Sequence, residues 1–180
     1  PLAAPSANIA NRTSVTSIKD LDNNLKHIYC IDGGSSVLGL ESTVVQTTEN
    51  ECKILRLGSL TIEEIKKRFA SYIIKVDSSS ISPGNQKMHY SPLKPLRINV
   101  KSVKNNEALL NYGKNKFKSN IKNMNLSLDE NLIEAGHNFY NYLNILDHSN
   151  CEGIAVAPIP DKCLGETIND RLRRALFKKL

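Results

Sequence analysis

Ten residues near the start, Pro5 to Ser14 (PSANIANRTS), carry two Ser, one Thr, two Asn and an Arg. Short hydroxyl and amide side chains let a ligand approach the backbone while supplying donors, and Arg12 adds a planar fork suited to phosphate. On composition alone, a polar surface loop accounts for the segment better. A second stretch runs from Gly33-Gly34-Ser35-Ser36 to Gly39-Leu40-Glu41-Ser42-Thr43. It places small polar groups where a strand ends and another begins, a common ligand position in α/β folds, and a hairpin connection explains it equally well. The spacing of a phosphate-binding P-loop is absent, and so is the dinucleotide fingerprint. Third is Arg56, flanked by apolar residues in ILRLG. In a strand it faces opposite its neighbours, into a pocket or onto a half-solvated sheet face. The fourth is Lys87-Met88-His89-Tyr90-Ser91-Pro92, a candidate functional linker or merely a sticky one. No Ser-His-Asp or Cys-His arrangement follows from these spacings.

The elements that must position these groups are short. His27–Ile31, Ser42–Gln46 and Lys53–Leu57 read as strands, the first stopping at Asp32-Gly33-Gly34. Thr61-x-x-Glu64 is a capping box that starts a helix burying Ile62, Ile65 and Phe69, and Ile73–Val76 closes the unit as a strand. From Ser78 to Leu96 the composition changes to Ser, Pro and Gly. Pro83, Pro92 and Pro95 exclude a continuous helix, so residues 78–96 are expected to form an interdomain linker. Beyond it, Leu96–Val100 reads as a strand and Asn106–Lys114 as a weak helix. Ser127-x-x-Glu130 reads as a second capping box, opening a helix with Leu132, Phe139, Leu143 and Leu146 on one side. Cys151–Pro158 is a strand of the buried kind. A last helix, Glu166–Lys178, buries Ile168, Leu172, Ala175 and Leu176, with Arg171, Arg173 and Arg174 assigned to its surface. Strands alternating with helices imply a small α/β domain with parallel pairing.

Composition narrows the class. The 180 residues are 40% hydrophobic and 23% charged, enough to bury a core and too mixed for a disordered chain. The longest apolar run, Gly153–Ile159, is far too short to span a bilayer, and PLAAPSAN has no signal-peptide pattern, so a cytoplasmic protein is expected. Cys30, Cys52, Cys151 and Cys163 lack C-x-x-C spacing and read as reduced thiols. The net charge of +6 is concentrated between Ile81 and Asn125, which hold nine Lys/Arg against one acid, Glu107. That stretch admits contact with tRNA or double-stranded RNA. The 20 Asn, 17 Lys and 17 Ile, however, look like coding bias in an AT-rich genome, which weakens the charge as evidence of function.

Together these segments resemble one family. PLAAPSAN, DGG, GLEST-V, ILR-G, S-PG and HYSP, in that order, look like the threonylcarbamoyl-AMP synthases of the YrdC-domain family, in their long two-domain form. The tail, IAVAPIP followed by LGETINDRLRRA, is similar to the C-terminal domain found in the long form alone. The resemblance implies an α/β fold: residues 1–77 as the C-terminal half of a YrdC-like twisted sheet domain, 78–96 as a linker covering the active site, and 97–180 as a small Rossmann-like domain. It implies condensation of L-threonine, bicarbonate and ATP, with Mg2+, to threonylcarbamoyl-AMP and pyrophosphate for tRNA modification. By motif, Ser6, Asn8, Ser14, Arg56 and Tyr90 resemble ATP-site residues, with Tyr90 reaching back from the linker. Ala4, through its backbone, and Ser42 resemble positions that hold threonine. The resemblance supplies neither a covalent catalytic nucleophile nor a metal ligand within the chain.

The departures carry expectations too. The family's synthase domain begins well before its SAN segment, so the resemblance implies that its first half is absent here and would come from a separate chain. An inactive remnant or partner-binding fragment is the alternative. Asn11 stands where the family usually has Gly, a mild change because Asn tolerates positive φ. ILRLG also lacks the common Pro after the Arg.

Overall fold

The alternating burial of one strand organises the first half of the molecule. In β2 (Glu51–Arg56) Cys52 and Ile54 are buried while their neighbours are half-exposed. β2 pairs antiparallel with β1 (Val44–Thr47) and parallel with β3 (Ile73–Val76), giving a mixed sheet in the order β1-β2-β3. The connection between β2 and β3 carries α1 (Ile62–Arg68), which lays Ile65 on Cys52 and Ile54, with Ile62, Phe69, Tyr72 and Ile74 around them. The expected capping box is present. Thr61 Oγ1 accepts from the Glu64 amide at 3.2 Å, and the Thr61 amide donates to the Glu64 carboxylate at 2.9 Å. Thr61→Ala is therefore expected to lower stability by about 1 kcal/mol, read as a shift in the urea midpoint at unchanged slope.

This computed structural model describes residues 6–25, 27–77 and 91–176. Two short 3-10 turns, Ile18–Asp20 and Asn23–Leu25, precede the first sheet. The second half is a four-stranded, wholly parallel sheet. Its strands β4 (Leu96–Arg97), β5 (Glu107–Asn111), β6 (Asn123–Asn125) and β7 (Gly153–Val156) lie in the order β4-β7-β5-β6. The period of two assigns its faces. Ala108, Leu110, Ile154 and Val156 join the main core with α2 (Leu132–Asp147) and α3 (Leu164–Leu176), whereas Leu109 and Ala155 face the other way, onto Val100, Val103 and Phe117. A small mixed sheet followed by a parallel four-stranded α/β unit is the α/β architecture expected from the sequence.

Three local expectations are corrected. Asn106–Lys114 is not helical. Its central residues form β5, buried at all five positions between β6 and β7. Glu, Ala and Leu favour a helix in isolation, but two parallel neighbours and burial on both faces override that preference. Glu107 can lie there because Arg97 clamps it with two hydrogen bonds of 2.6 and 2.7 Å. Those bonds, opposed by burial, hold its carboxyl below the ordinary range.

The second capping box is also displaced. Asn131, not Ser127, caps α2, its side chain accepting from the Ile133 and Glu134 amides at 2.8 and 3.2 Å. Glu130 sits at φ 58°, outside the helix, where its carbonyl accepts from the Tyr112 hydroxyl. Ser127 instead braces the cap, accepting from the Asn131 amide and donating to Glu134. The third correction concerns His27–Ile31, which forms no strand. Among the described residues no backbone runs alongside it, and Tyr29 and Ile31 are fully exposed. A β-rich run without a partner has nothing to satisfy its ladder of amides and carbonyls.

The two sheets are joined through the segment that precedes β1. Leu40 enters the core formed by α2, α3 and the parallel sheet. Gly39, at φ +67°, lies so close to α2 that a Cβ would stand 2.4 Å from the Gly136 carbonyl oxygen and 2.5 Å from that of His137. The chain entering the second sheet is tied down as well. Asp147 accepts from the Leu93 and Lys94 amides at 2.8 and 2.9 Å, and Ser91 forms a parallel bridge with Arg12.

Candidate functional site

Two predicted site residues meet directly. The Arg56 guanidinium donates to the Ser42 carbonyl at 2.8 and 3.2 Å and to the Ser42 hydroxyl at 3.1 Å. Strand register makes this possible. Val45 pairs with Ile54 but Val44 pairs with Arg56, so two residues of β2 span one step of β1. Such a bulge re-aims the side chains beside it. It takes Arg56 out of the alternation that buries Cys52 and Ile54 and turns it toward the loop that carries Ser42.

Ser14 joins the same neighbourhood through a residue that sequence reasoning did not select. Its hydroxyl donates to Glu41 Oε1 at 2.5 Å, and Glu41 immediately precedes Ser42. The other carboxylate oxygen, Oε2, accepts from Arg171 Nε at 2.9 Å. Arg171 is wholly buried, contrary to its expected place on the surface of the last helix. Its remaining groups donate to Asp170 and to the Leu57 carbonyl, both at 2.5 Å. Burial pushes the Glu41 pKa up, but the Arg171 charge and hydrogen bonds from Ser14, Tyr140 and Arg171 outweigh it and hold the carboxyl below its ordinary value. Glu41 is an anion shared between the two halves of the fold.

Other predicted residues lie apart from this group. Asn8 is half-buried and donates to the carbonyls of Ile9 and Arg12 at 3.0 and 3.3 Å, holding its own loop in shape. Asn11 adopts φ 66°, the left-handed conformation anticipated for an Asn in the place of a Gly. Asn8 and Arg12 line a cleft of about 730 Å3 against α2, with Lys19, Asn141, Asn144 and His148 on its walls. Thr13, beside it, donates to the Asn144 side chain. Ser6 is exposed, and Ala4 and Tyr90 lie outside the described residues. All four cysteines are free thiols, and no described helix is long and apolar enough to cross a membrane.

The site residues that sequence reasoning misses are Glu41 and Arg171; Thr167, outside the site, ties α3 down by donating to the Gly58 carbonyl at 3.0 Å. The signal for Arg171 was present. It follows Ile168 by three and precedes Ala175 by four, on the stripe that buries both. Its charge alone points the other way, to a solvated face.

Comparison with known proteins agrees with this architecture. Residues 60–176 match the family model described as threonylcarbamoyl-AMP synthase, C-terminal domain, and residues 1–58 match a model described as telomere recombination. The chain is 30% identical to threonylcarbamoyl-AMP synthase of Pyrococcus abyssi, the alignment covering 97% of this chain and 57% of that protein. It is 36% identical to the Bacillus subtilis protein of the same name over 54% of this chain and 30% of the relative. The crystal structure of P. abyssi Sua5 complexed with L-threonine superposes with a TM-score of 0.76 at 26% identity, covering 96% of this chain and 56% of that one. The chain thus spans little more than half the length of the archaeal relative. Within that span, the parallel domain, its linkage to the mixed sheet and the matched residues 60–176 place the chain in the threonylcarbamoyl-AMP synthase family.

Proposed function

We propose that the chain serves the synthesis of L-threonylcarbamoyl-AMP from L-threonine, bicarbonate and ATP, for threonylcarbamoyl modification of tRNA. The contact between Arg56 and Ser42 carries this reading. The reaction joins a threonine-derived carbamate to the α-phosphorus of ATP with loss of pyrophosphate. The threonine and nucleotide subsites must therefore adjoin, as Ser42 and Arg56, one assigned to each, do. A carbamate oxygen is itself the nucleophile, so the protein's task is to position the reactants and stabilise charge. Ser42 would hold threonine with the Ala4 backbone, Arg56 would meet developing negative charge on the nucleotide, and Ser6, Asn8 and Ser14 would line the ATP side. Tyr90 and the linker would exclude water from a labile mixed anhydride. A neighbour crystallised with L-threonine supports that ligand class.

Magnesium enters as the counter-ion of ATP. Among the described residues no group of three or more His, Cys, Asp or Glu side chains converges to hold a metal. Glu41, next to Ser42, is committed to Arg171 and Ser14.

The test is product formation from threonine, bicarbonate and ATP, by the chain alone and mixed with the part of the archaeal synthase that it does not match. Threonylcarbamoyl-AMP is expected in the mixture, with kcat/KM reduced about 100-fold or more by Arg56→Ala. Turnover indifferent to Arg56, or no product in either arrangement, would refute the reading and leave an inactive remnant.

A further inference from the structure

We infer that Arg171 is a positioning residue for the Ser42–Arg56 site, holding in register from the C-terminal domain the two backbone segments that carry those residues. The inference rests on the synthase reading of that site.

The geometry is specific. The Arg171 fork reaches Glu41 with Nε at 2.9 Å and the Leu57 carbonyl with Nη2 at 2.5 Å. Glu41 immediately precedes Ser42, and Leu57 immediately follows Arg56. One rigid guanidinium thus spans both sides of the Ser42–Arg56 contact. Through Glu41 it also meets Ser14, a third residue assigned to ligand binding. Close packing reinforces the arrangement at Gly58, where a Cβ would stand 2.3 Å from the Thr43 amide nitrogen and 2.5 Å from the Glu41 carbonyl oxygen. Asp170, which also accepts from Arg174 at 2.8 Å, holds the Arg171 fork from behind.

A tie between domains requires much less than this. Thr167 supplies such a tie one turn earlier on α3, its hydroxyl donating to the Gly58 carbonyl at 3.0 Å. Lysine at 171 would keep a charge but not the planar fork, and so would not serve both acceptors at once. The position therefore selects for geometry at the site as well as for attachment.

The experiment measures binding of L-threonine and of ATP to the full chain by calorimetry, with melting temperature recorded in parallel, for wild type, Arg171→Lys and Thr167→Val. Both variants are expected to melt lower. Arg171→Lys alone should weaken binding, by about tenfold or more, which is about 1.4 kcal/mol at 25 °C. Affinities for Arg171→Lys within about twofold of wild type would reduce Arg171 to a structural tie and overturn the inference while sparing the synthase reading. A wild-type chain that binds neither ligand overturns both. Should Arg171→Lys not fold, amide exchange on wild type decides. Threonine or ATP must then protect residues 42–43, 57–58 and 167–172 together, because coupling is reciprocal. Protection confined to the first two segments overturns the inference.

Discussion

Gly39→Ala is expected to destabilise the chain by roughly 2–5 kcal/mol, far more than the same change at Gly34. Both glycines have positive φ, +67° and +81°, so alanine meets about the same backbone penalty of 1–2 kcal/mol at each. Their surroundings differ. A Cβ at Gly34 has nothing within 4 Å, whereas one at Gly39 would sit 2.4–2.6 Å from the backbone of Gly136 and His137 in α2. Backbone in the middle of a 16-residue helix does not rotate aside as a flexible side chain would. The clash must be relieved by lifting the Val37–Glu41 segment off the helix. That movement would draw Leu40 from the core and break the bond between the Val37 carbonyl and His137. Equilibrium denaturation of the two variants separates the terms. Equal losses at Gly34 and Gly39 would mean that Gly39 is not wedged against α2.

The contrast between these glycines also explains what the sequence could disclose. Local pattern exposes local causes: the Thr61–Glu64 box, the alternation in β2 and the positive-φ tolerance of Asn11 can all be read from a few adjacent residues. Arg56 and Ser42 could be named through resemblance to a family, but not the bulge at Leu55 that makes them touch, since it depends on how β1 registers on β2. Asn106–Lys114, which reads as a weak helix, hides the strand Glu107–Asn111 for the same kind of reason. Its helix-favouring side chains say nothing of the parallel strands on either side. Arg171 shows a different limit. Its spacing placed it on the buried stripe, yet a charged residue is assigned to the surface unless its partner is known, and Glu41 lies 130 positions away. Tyr90 and most of the linker fall outside the described residues.

Glu41→Gln should lower stability at neutral pH by about 3 kcal/mol, the order expected when one member of a buried ion pair is removed. Glutamine keeps the size and an acceptor oxygen but leaves the buried Arg171 charge facing an amide, with Asp170 as its remaining carboxylate. The effect has a defined pH signature. The folded Glu41 carboxyl titrates below its ordinary value of 4.5, because Arg171, Ser14 and Tyr140 outweigh the cost of burial. Between the two pKa values the unfolded chain binds more protons than the native one, so stability falls as pH falls. The contribution is complete above about pH 4.5 and is lost as pH drops through the lower, folded value. Glu107, held down chiefly by Arg97, and Glu64, held down chiefly by the Thr61 amide, lose stability in the same direction. Glu166 opposes them, because burial and then the Glu63 and Asp161 charges raise its pKa, so protonation relieves a penalty there. All three occur in both proteins and cancel in the comparison. The free-energy gap between wild type and Glu41→Gln should therefore stay constant above about pH 4.5 and close on acidification, since a protonated Glu41 is nearly what glutamine imitates. Urea titrations from pH 3 to pH 7 measure it. A gap that persists undiminished at the acid end would show that the Glu41 charge does not hold the two halves of the fold together.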